Sequence, residues 1–330
     1  MKSKHYLLGF VLLVFGISYA FTGHRELSWP LAQIDGYVLN ILVLMGINVV
    51  LAVSLNLVSG HTGQFSLGHA GFMAVGAYSS TVLTLLKGKG LLGLLGQCHL
   101  GGVAEPVLFF LALICGGLVA GLAGLLVGIP SLRLKGDYLA IVTLGFGEII
   151  RVILQNTESL GGARGLSGIP PYSSLGWTFG VAAFAIYVVG SLVDSTYGRG
   201  FLAVRDDEIA AEAMGINGTK YKVVSFTVGA FLAGLGGALY AHFIGYLNPE
   251  GFNFLKSVDI VVMVILGGMG STAGVTVAAM VLTLLNEFLR QAEQYRMVVF
   301  ALLLILMMIL RPQGLIGGLG QWVRLRRAKR

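Results

Sequence analysis

The sequence predicts an all-α, polytopic membrane protein with about ten transmembrane or re-entrant helices, forming a single membrane-spanning domain over residues 1–330. Three observations predict it. Of the 330 residues, 56% are hydrophobic and 11% charged, against roughly 25% charged in soluble domains. Apolar runs close to the length that spans a hydrocarbon core, about 20 helical residues, recur at 6–22, 37–58, 71–86, 107–129, 139–155, 179–194, 223–247 and 297–310. No stretch between these runs is long enough to bury a soluble core of its own.

The first run starts with Lys2 and Lys4 and ends near Ser18, Tyr19 and Ala20. That pattern is shared with cleavable leaders, but the expectation is an uncleaved first helix. A further apolar stretch, 258–285, is interrupted by Gly267, Gly268, Gly270, Ser271, Thr272 and Gly274, and reads as two crossings or a re-entrant hairpin. The chain carries 49 glycines. Helices in lipid gain little by burying apolar surface, so small residues that let backbones approach are favoured at their contacts. Gly116, Gly117, Gly121 and Gly124, and later Gly229, Gly234, Gly236 and Gly237, read as packing faces. Cys98 and Cys115 have neither metal-site spacing nor a disulfide framework.

The formal net charge of +7 points to membrane orientation and not to nucleic acid. Basic residues gather on the cytoplasmic side of spans. With the N-terminus inside, the inner side holds Lys2, Lys4, Arg133, Lys135, Arg199, Arg205, Lys220, Lys222 and the basic tail 311–330. That is twice the basic content of the outer side, where Arg25, Lys87, Lys89, Arg164, Lys256, Arg290 and Arg296 fall. The balance holds only if 258–285 does not cross once. The expected setting is a bacterial plasma (inner) membrane, multi-pass, with both termini cytoplasmic.

Within the cytoplasmic loop 195–222 lies a charged helical island, 206–218, DDEIAAEAMGING. Asp206 and Asp207 suit a helix N-cap, and Gly215 with Asn217 and Gly218 supplies a stop. Ala210, Ala213 and Met214 share one face at i, i+3 and i+4. Glu208 and Glu212 occupy a neighbouring face suited to basic groups. The alternatives are a helix that a partner grips and a solvated connector.

The island resembles the cytoplasmic "EAA…G" signature of ABC importer permeases, here Glu208-Ile-Ala-Ala-Glu-Ala-Met-Gly215. Further stretches resemble permeases for branched-chain amino acids, of the LivM-like kind. They are 54–77 (SLNLVSGHTGQFSLGHAGFMAVGA), 131–151 (SLRLKGDYLAIVTLGFGEIIR), 161–170 (GGARGLSGIP) and 264–279 (VILGGMGSTAGVTVAA). The resemblance implies an ATP-driven permease subunit that moves leucine, isoleucine or valine inward by alternating access. It implies that Glu208, Ala210, Ala211, Glu212, Ala213, Met214 and Gly215 dock on the ATPase. The implied partners are two ATP-binding cassette subunits, which would bind ATP and Mg, a second homologous permease, an extracytoplasmic substrate-binding protein and the lipid bilayer. No cofactor is expected in this chain, and it is not expected to be an enzyme, since no G-x-x-x-x-G-K-[ST] phosphate loop occurs. Related permeases for urea, amides or other amino acids remain the alternative cargo.

Three polar groups of residues lie at membrane depth. Glu148, Arg151 and Gln155 share one helical face at i, i+3 and i+7. A charge in a span is normally paired and faces protein or water, so Glu148–Arg151 reads as a structural ion pair locking two helices, or as a polar wall of the pathway. Segment 60–69 follows one span and leads into another; unwound backbone at this depth lines cavities in transporters. Gly63, Gln64, Ser66 and His69 are its candidate pathway residues, and Gly268, Ser271 and Thr272 those of the similar segment 267–274. The plain alternative for both is a tight cytoplasmic turn. His61 and His69 lack a nearby acid or thiol, so no metal site is expected. The glycines and Pro170-Pro171 of 161–171 indicate a shaped external turn, either a plain loop or one meeting the binding protein.

Two rival functions weigh less. Gly165-Leu166-Ser167-Gly168 fits the G-x-S-G of rhomboid-type proteases, with His242 as a distant partner, but Ser167 is not at the start of a span. An ion-coupled carrier or passive channel would leave the island at 206–218 unexplained, and a proton-coupled one usually keeps an unpaired intramembrane acid.

Overall fold

The computed structural model describes residues 36–86, 104–131 and 136–292, with isolated helical positions between 298 and 309. The expected first span, Cys98, Arg133, Lys135, most of the last span and the basic tail lie outside the described residues.

The described chain is helical almost throughout. Helix α1 (Gly36–Leu55) runs directly into a π-helical turn, Asn56–His61. It is followed by α2 (His69–Leu86), α3 (Ala104–Ser131), α4 (Asp137–Asn156) and α5 (Leu175–Val193). Two short helices, α6 (Thr196–Asp206) and α7 (Glu208–Ala213), precede the long α8 (Gly218–Ile244). Helices α9 (Phe254–Gly267) and α10 (Thr272–Phe288) close the sequence of elements. Two-residue strands β1 (Leu166–Ser167) and β2 (Tyr246–Leu247) pair antiparallel, joining the loop after α4 to the end of α8. Among the described residues, five helical segments are long and apolar enough to cross a membrane: Gly36–His61, Glu105–Pro130, Tyr138–Asn156, Leu175–Val193 and Gly218–Ile244.

The core is a close crossing of α2, α3 and α8, and glycine makes it close. A Cβ on Gly76 would overlap the backbone of Gly234, and one on Gly237 would overlap the Met73 carbonyl. A Cβ on Gly116 would lie 2.8 Å from the Gly76 oxygen, and one on Gly124 would overlap Ala230. Gly229 and Gly236 bring α1 onto α8, with Val58 2.6 Å and Leu51 3.0 Å from their Cβ positions. These glycines therefore act as packing faces, in keeping with dispersion and backbone proximity as the forces that join helices in lipid. Gly121 is the loosest of the set, with Phe231 at an ordinary 3.4 Å.

The stretch 258–285 is a hairpin. Its helices have 14 and 17 residues, about 21 and 26 Å at 1.5 Å per residue, short of a core about 30 Å thick. Gly268 and Gly270 turn the chain with φ of 91° and 85°. Helix α10 then runs antiparallel to α1, tied at three levels. Tyr37 donates to Glu287 at one end, Asn48 Nδ2 donates to Thr283 Oγ1 at 2.9 Å in the middle, and the Gly270 amide donates to Asn56 Oδ1 at 2.9 Å at the other. The hairpin's turn therefore sits at the end of α1 where that helix unwinds, and α10 returns to the end where α1 begins.

The connection 195–222 holds the expected short helix and one more, as α6, α7 and the first turn of α8. Helix α6 has two glycines and scattered charges, so its apolar contacts Phe201 and Val204, both buried, show no long period in the sequence. Glu148 and Arg151 do not lock two helices, because they bond to each other within α4. That helix is the most outlying of the spans, with Ile141, Ile149 and Ile153 at least half exposed.

Candidate functional site

Helix α7 is short but fixed at both ends. The Asp207 carboxylate, not Asp206, caps it, accepting from the Ile209 amide at 2.9 Å and the Ala210 amide at 3.1 Å. Such a cap contributes about 1 kcal/mol. Asp206 instead ends α6 and pairs with Arg205. At the other end, the Gly215 amide donates to the Glu212 carbonyl at 2.9 Å and the Ile216 amide to the Ala211 carbonyl at 3.0 Å. This is the Schellman pattern, and it requires a left-handed residue; Gly215 has φ 83°. Asn217 then caps α8 through the Lys220 amide.

The inner side of α7 carries Ala211, 5% exposed, and Glu208, whose carboxylate lies 2.6 Å from Lys222 Nζ on α8. The Lys222 side chain is 8% exposed, so Glu208 neutralises a buried cation of its own chain and is not free for a partner's basic groups. Ala210, Glu212, Ala213, Met214 and Gly215 face outward. Ile209, 73% exposed, and Met214, 83% exposed, stand on the same short helix. Both apolar side chains thus project from a capped, charged support.

Two connections run from this island into the membrane core. Through α8, the Ser225 hydroxyl donates to the Lys222 carbonyl and lies 3.1 Å from Thr62 Oγ1. Through α6, Arg205 Nη1 donates to the Gly60 carbonyl at 3.3 Å. The first reaches the unwound segment 62–68, between the π-helical turn and α2, and the second reaches the π-helical turn just before it.

That segment is buried except at Gly63 and Phe65, with Leu67 partly so. Thr62 Oγ1 donates to the Val58 carbonyl at 2.6 Å, and the Gln64 amide donates to the same oxygen at 3.1 Å. The backbone groups freed by unwinding are thereby partly satisfied. Gly63 turns the chain with φ 69° and lies against Arg205. The Leu67 amide donates to Thr143 on α4, and the Ala70 amide to Ser257 on α9. His69 is 2.7 Å from Ser54 Oγ. The amide nitrogen and oxygen of Gln64 and the hydroxyl of Ser66 are buried with no hydrogen-bond partner among the described residues. Such atoms cost about 1–3 kcal/mol each when left unpaired.

The two glycine-rich segments meet. A Cβ on Gly60 would overlap both Asn56 Oδ1 and the Gly270 amide. Thr272 Oγ1 lies 3.5 Å from His61 Nε2, which is 3.4 Å from Asn56 Nδ2. Gly268 shapes the turn, and Ser271 caps α10 by accepting from the Gly274 amide at 3.2 Å. Segment 267–274 thus meets the π-helical turn at Asn56, Gly60 and His61, with Gly63 joined to it through Arg205, while Gln64 and Ser66 follow along the unwound stretch and His69 opens α2. Glu148 and Arg151 stand outside this junction. Their 2.6 Å pair sits apart on α4, about a third exposed, and makes no hydrogen bond to the junction among the described residues.

Sequence reasoning missed Asn56, the residue that joins the two segments. A polar side chain inside an apolar run was the available signal. Arg205 counted only as an orientation charge, and Ile209 was passed over. The turn 161–171 is shaped as expected, by β1–β2 pairing and by the Ile169 amide donating to the Gly245 carbonyl. Ser167 lies in β1, while His242 is buried and tied to Thr84 and the Ala238 carbonyl, so no nucleophile–base pair forms between them.

Comparison with known proteins gives the family. The family described as branched-chain amino acid transport system, permease component, matches residues 37–308. The high-affinity branched-chain amino acid transport system permease protein LivM of Escherichia coli is 36% identical, over 88% of this chain and 72% of its own. The probable branched-chain amino acid transport permease protein LivM of Methanocaldococcus jannaschii is 26% identical over 84% of this chain and 92% of its own. The permease protein LivH of Escherichia coli is 32% identical over a shorter region, 37% of this chain and 40% of its own. No solved structure matches the chain. The chain belongs to the branched-chain amino acid transport system permease family and is a multi-pass membrane transport component.

Proposed function

We propose that this chain is the permease subunit of an ATP-driven importer for branched-chain amino acids, gripped at α7 by a cytoplasmic ATPase. The observation that carries the reading is the exposed apolar face of Ile209, Ala210, Ala213 and Met214 on a helix capped at both ends and pinned to the core by Glu208–Lys222. Nothing in a passive pore requires it. Two ATP-binding cassette subunits would supply ATP and Mg chemistry. A second, related permease would complete the pathway, a role supported by the local similarity to LivH. An extracytoplasmic binding protein would deliver substrate to the end that carries β1 and β2. In this reading α7 faces the cytoplasm of a bacterial inner membrane, as does each terminus.

Substrate passage is assigned to the junction of 60–69 with 267–274. Gln64 and Ser66 present two donor groups and several lone pairs without partners among the described residues, suited to the ammonium and carboxylate of a zwitterion or to ordered water. The charged edge of α4, Glu148, Arg151 and Gln155, would form a polar flank where the second permease packs. Movement of α7 on ATP binding would reach the junction through Lys222–Ser225–Thr62 and through Arg205, opening it alternately to each side. An ion-coupled carrier is disfavoured because Arg151 neutralises Glu148 at 2.6 Å.

The test is co-purification from native membranes with the wild-type chain and with Met214→Glu. Two ATPases and a second permease that elute with wild type, with the ATPases lost from Met214→Glu, support the reading. A chain that purifies alone in both forms overturns it.

A further inference from the structure

We infer that Arg205 is the positioning residue through which α7 holds the two broken segments together, an inference that rests on the docking role proposed for α7. Arg205 is the penultimate residue of α6, and only Asp206 and Asp207 separate it from α7. Its guanidinium is used on two sides. Nε and Nη2 donate to Asp206 Oδ1 at 3.0 and 2.9 Å, which fixes the plane of the fork. Nη1 donates to the Gly60 carbonyl at 3.3 Å and lies 3.2 Å from the position a Cβ would take on Gly270. The side-chain stem fills the space beside Gly63, with Cγ 2.9 Å from the Cβ position there.

One side chain therefore touches both glycine-rich segments where they meet. The placement is electrostatically favourable, because Gly60 lies in the last turn before the chain unwinds. Carbonyls at a helix's C-terminal end lack intrahelical donors and attract cations. A planar fork can satisfy Asp206 and Gly60 together; an ammonium is a point charge without that geometry. The Gly60 bond is long, so a small displacement of α7 breaks it and leaves the junction held by Asn56 with Gly270 and by the longer His61–Thr272 contact. In one position of α7 Arg205 clamps the junction, and in the other it releases it.

The experiment uses the assembled importer in vesicles, with this chain, its ATPases, the second permease and the binding protein. ATP hydrolysis and uptake of labelled leucine are read from the same preparation. Arg205→Gln is expected to assemble and hydrolyse ATP, with uptake per ATP down about tenfold, within the range that single positions contribute to coupling. Arg205→Lys is expected to recover part of that loss. Uptake and hydrolysis that fall in equal proportion, or that both stay at wild-type values, overturn the inference. If Arg205→Gln fails to assemble, Asp206→Ala decides, because it removes the acceptor that fixes the guanidinium plane while leaving the arginine and both glycine-rich segments unaltered. Uncoupling there supports the inference, and normal coupling overturns it. Absence of ATPase from the wild-type preparation would instead sink the docking reading on which both depend.

Discussion

Glycines bring backbones together both where α2, α3 and α8 cross and at the junction of 60–69 with 267–274, but their neighbours differ. In the crossing, Gly76, Gly234 and Gly237 face the backbones of adjoining helices, and the hydroxyls of Ser80, Thr81 and Thr84 return to carbonyls of their own helix. At the junction, Gly60, Gly63 and Gly270 face an asparagine, an arginine and an amide, so its close contacts run through hydrogen-bonding groups; buried polar atoms without a partner among the described residues occur in both regions, at Gln64 and Ser66 in one and at Tyr78 and Thr227 in the other. A close-packed contact between helices has one low-energy arrangement and resists motion. A contact made through side-chain hydrogen bonds can be broken and remade by rotamer changes without moving the helix backbones apart. The difference assigns the crossing as the fixed frame and the junction as the part that rearranges.

The comparison can be broken most forcefully in the frame. Gly237→Leu places a side chain into the Met73 carbonyl and is expected to cost about 3 kcal/mol or more, seen as loss of folded protein in detergent melting. At the junction the balance should invert. Gly60→Ala displaces Asn56 from the Gly270 amide, costing about 2 kcal/mol, and is expected to abolish leucine uptake in protein that still melts cooperatively. Glu208→Gln tests the island's anchor. It leaves Lys222 buried beside a neutral amide, at a cost of about 2 kcal/mol, and Lys222→Met in the same chain should return most of the melting temperature. Asp207→Ala is the mildest, about 1 kcal/mol from the lost cap, with ATPase co-purification reduced more than stability.

Much of this arrangement was legible in the sequence, because membrane burial leaves strong local signals. The apolar runs located the described spans to within a few residues, and the glycine cluster at 267–274 marked the break between α9 and α10. The helix stop at Gly215 and the Glu148–Arg151 spacing were equally readable, since each depends on near neighbours. What could not be read was juxtaposition. Asn56 and Gly270 lie 214 positions apart, and nothing local to either residue encodes their meeting. Lys222 and Arg205 show the same limit: a basic residue near a membrane boundary reads as an orientation signal, whereas its partners, Glu208 and the Gly60 carbonyl, are set by how α6, α7 and α8 fold over the end of α1.

The most direct test compares reactivity in the two regions. With Cys98 and Cys115 replaced, single cysteines at Ser66 in the junction and Ala230 in the crossing would be labelled by a small thiol reagent in the assembled importer, with and without bound ATP. A minor state populated at a few per cent that becomes dominant changes its signal by about tenfold or more. Ser66→Cys should therefore change its labelling rate by about that factor when ATP binds, while Ala230→Cys stays unreactive. Equal changes at the two positions, or a change confined to Ala230→Cys, would contradict the division into fixed frame and moving junction.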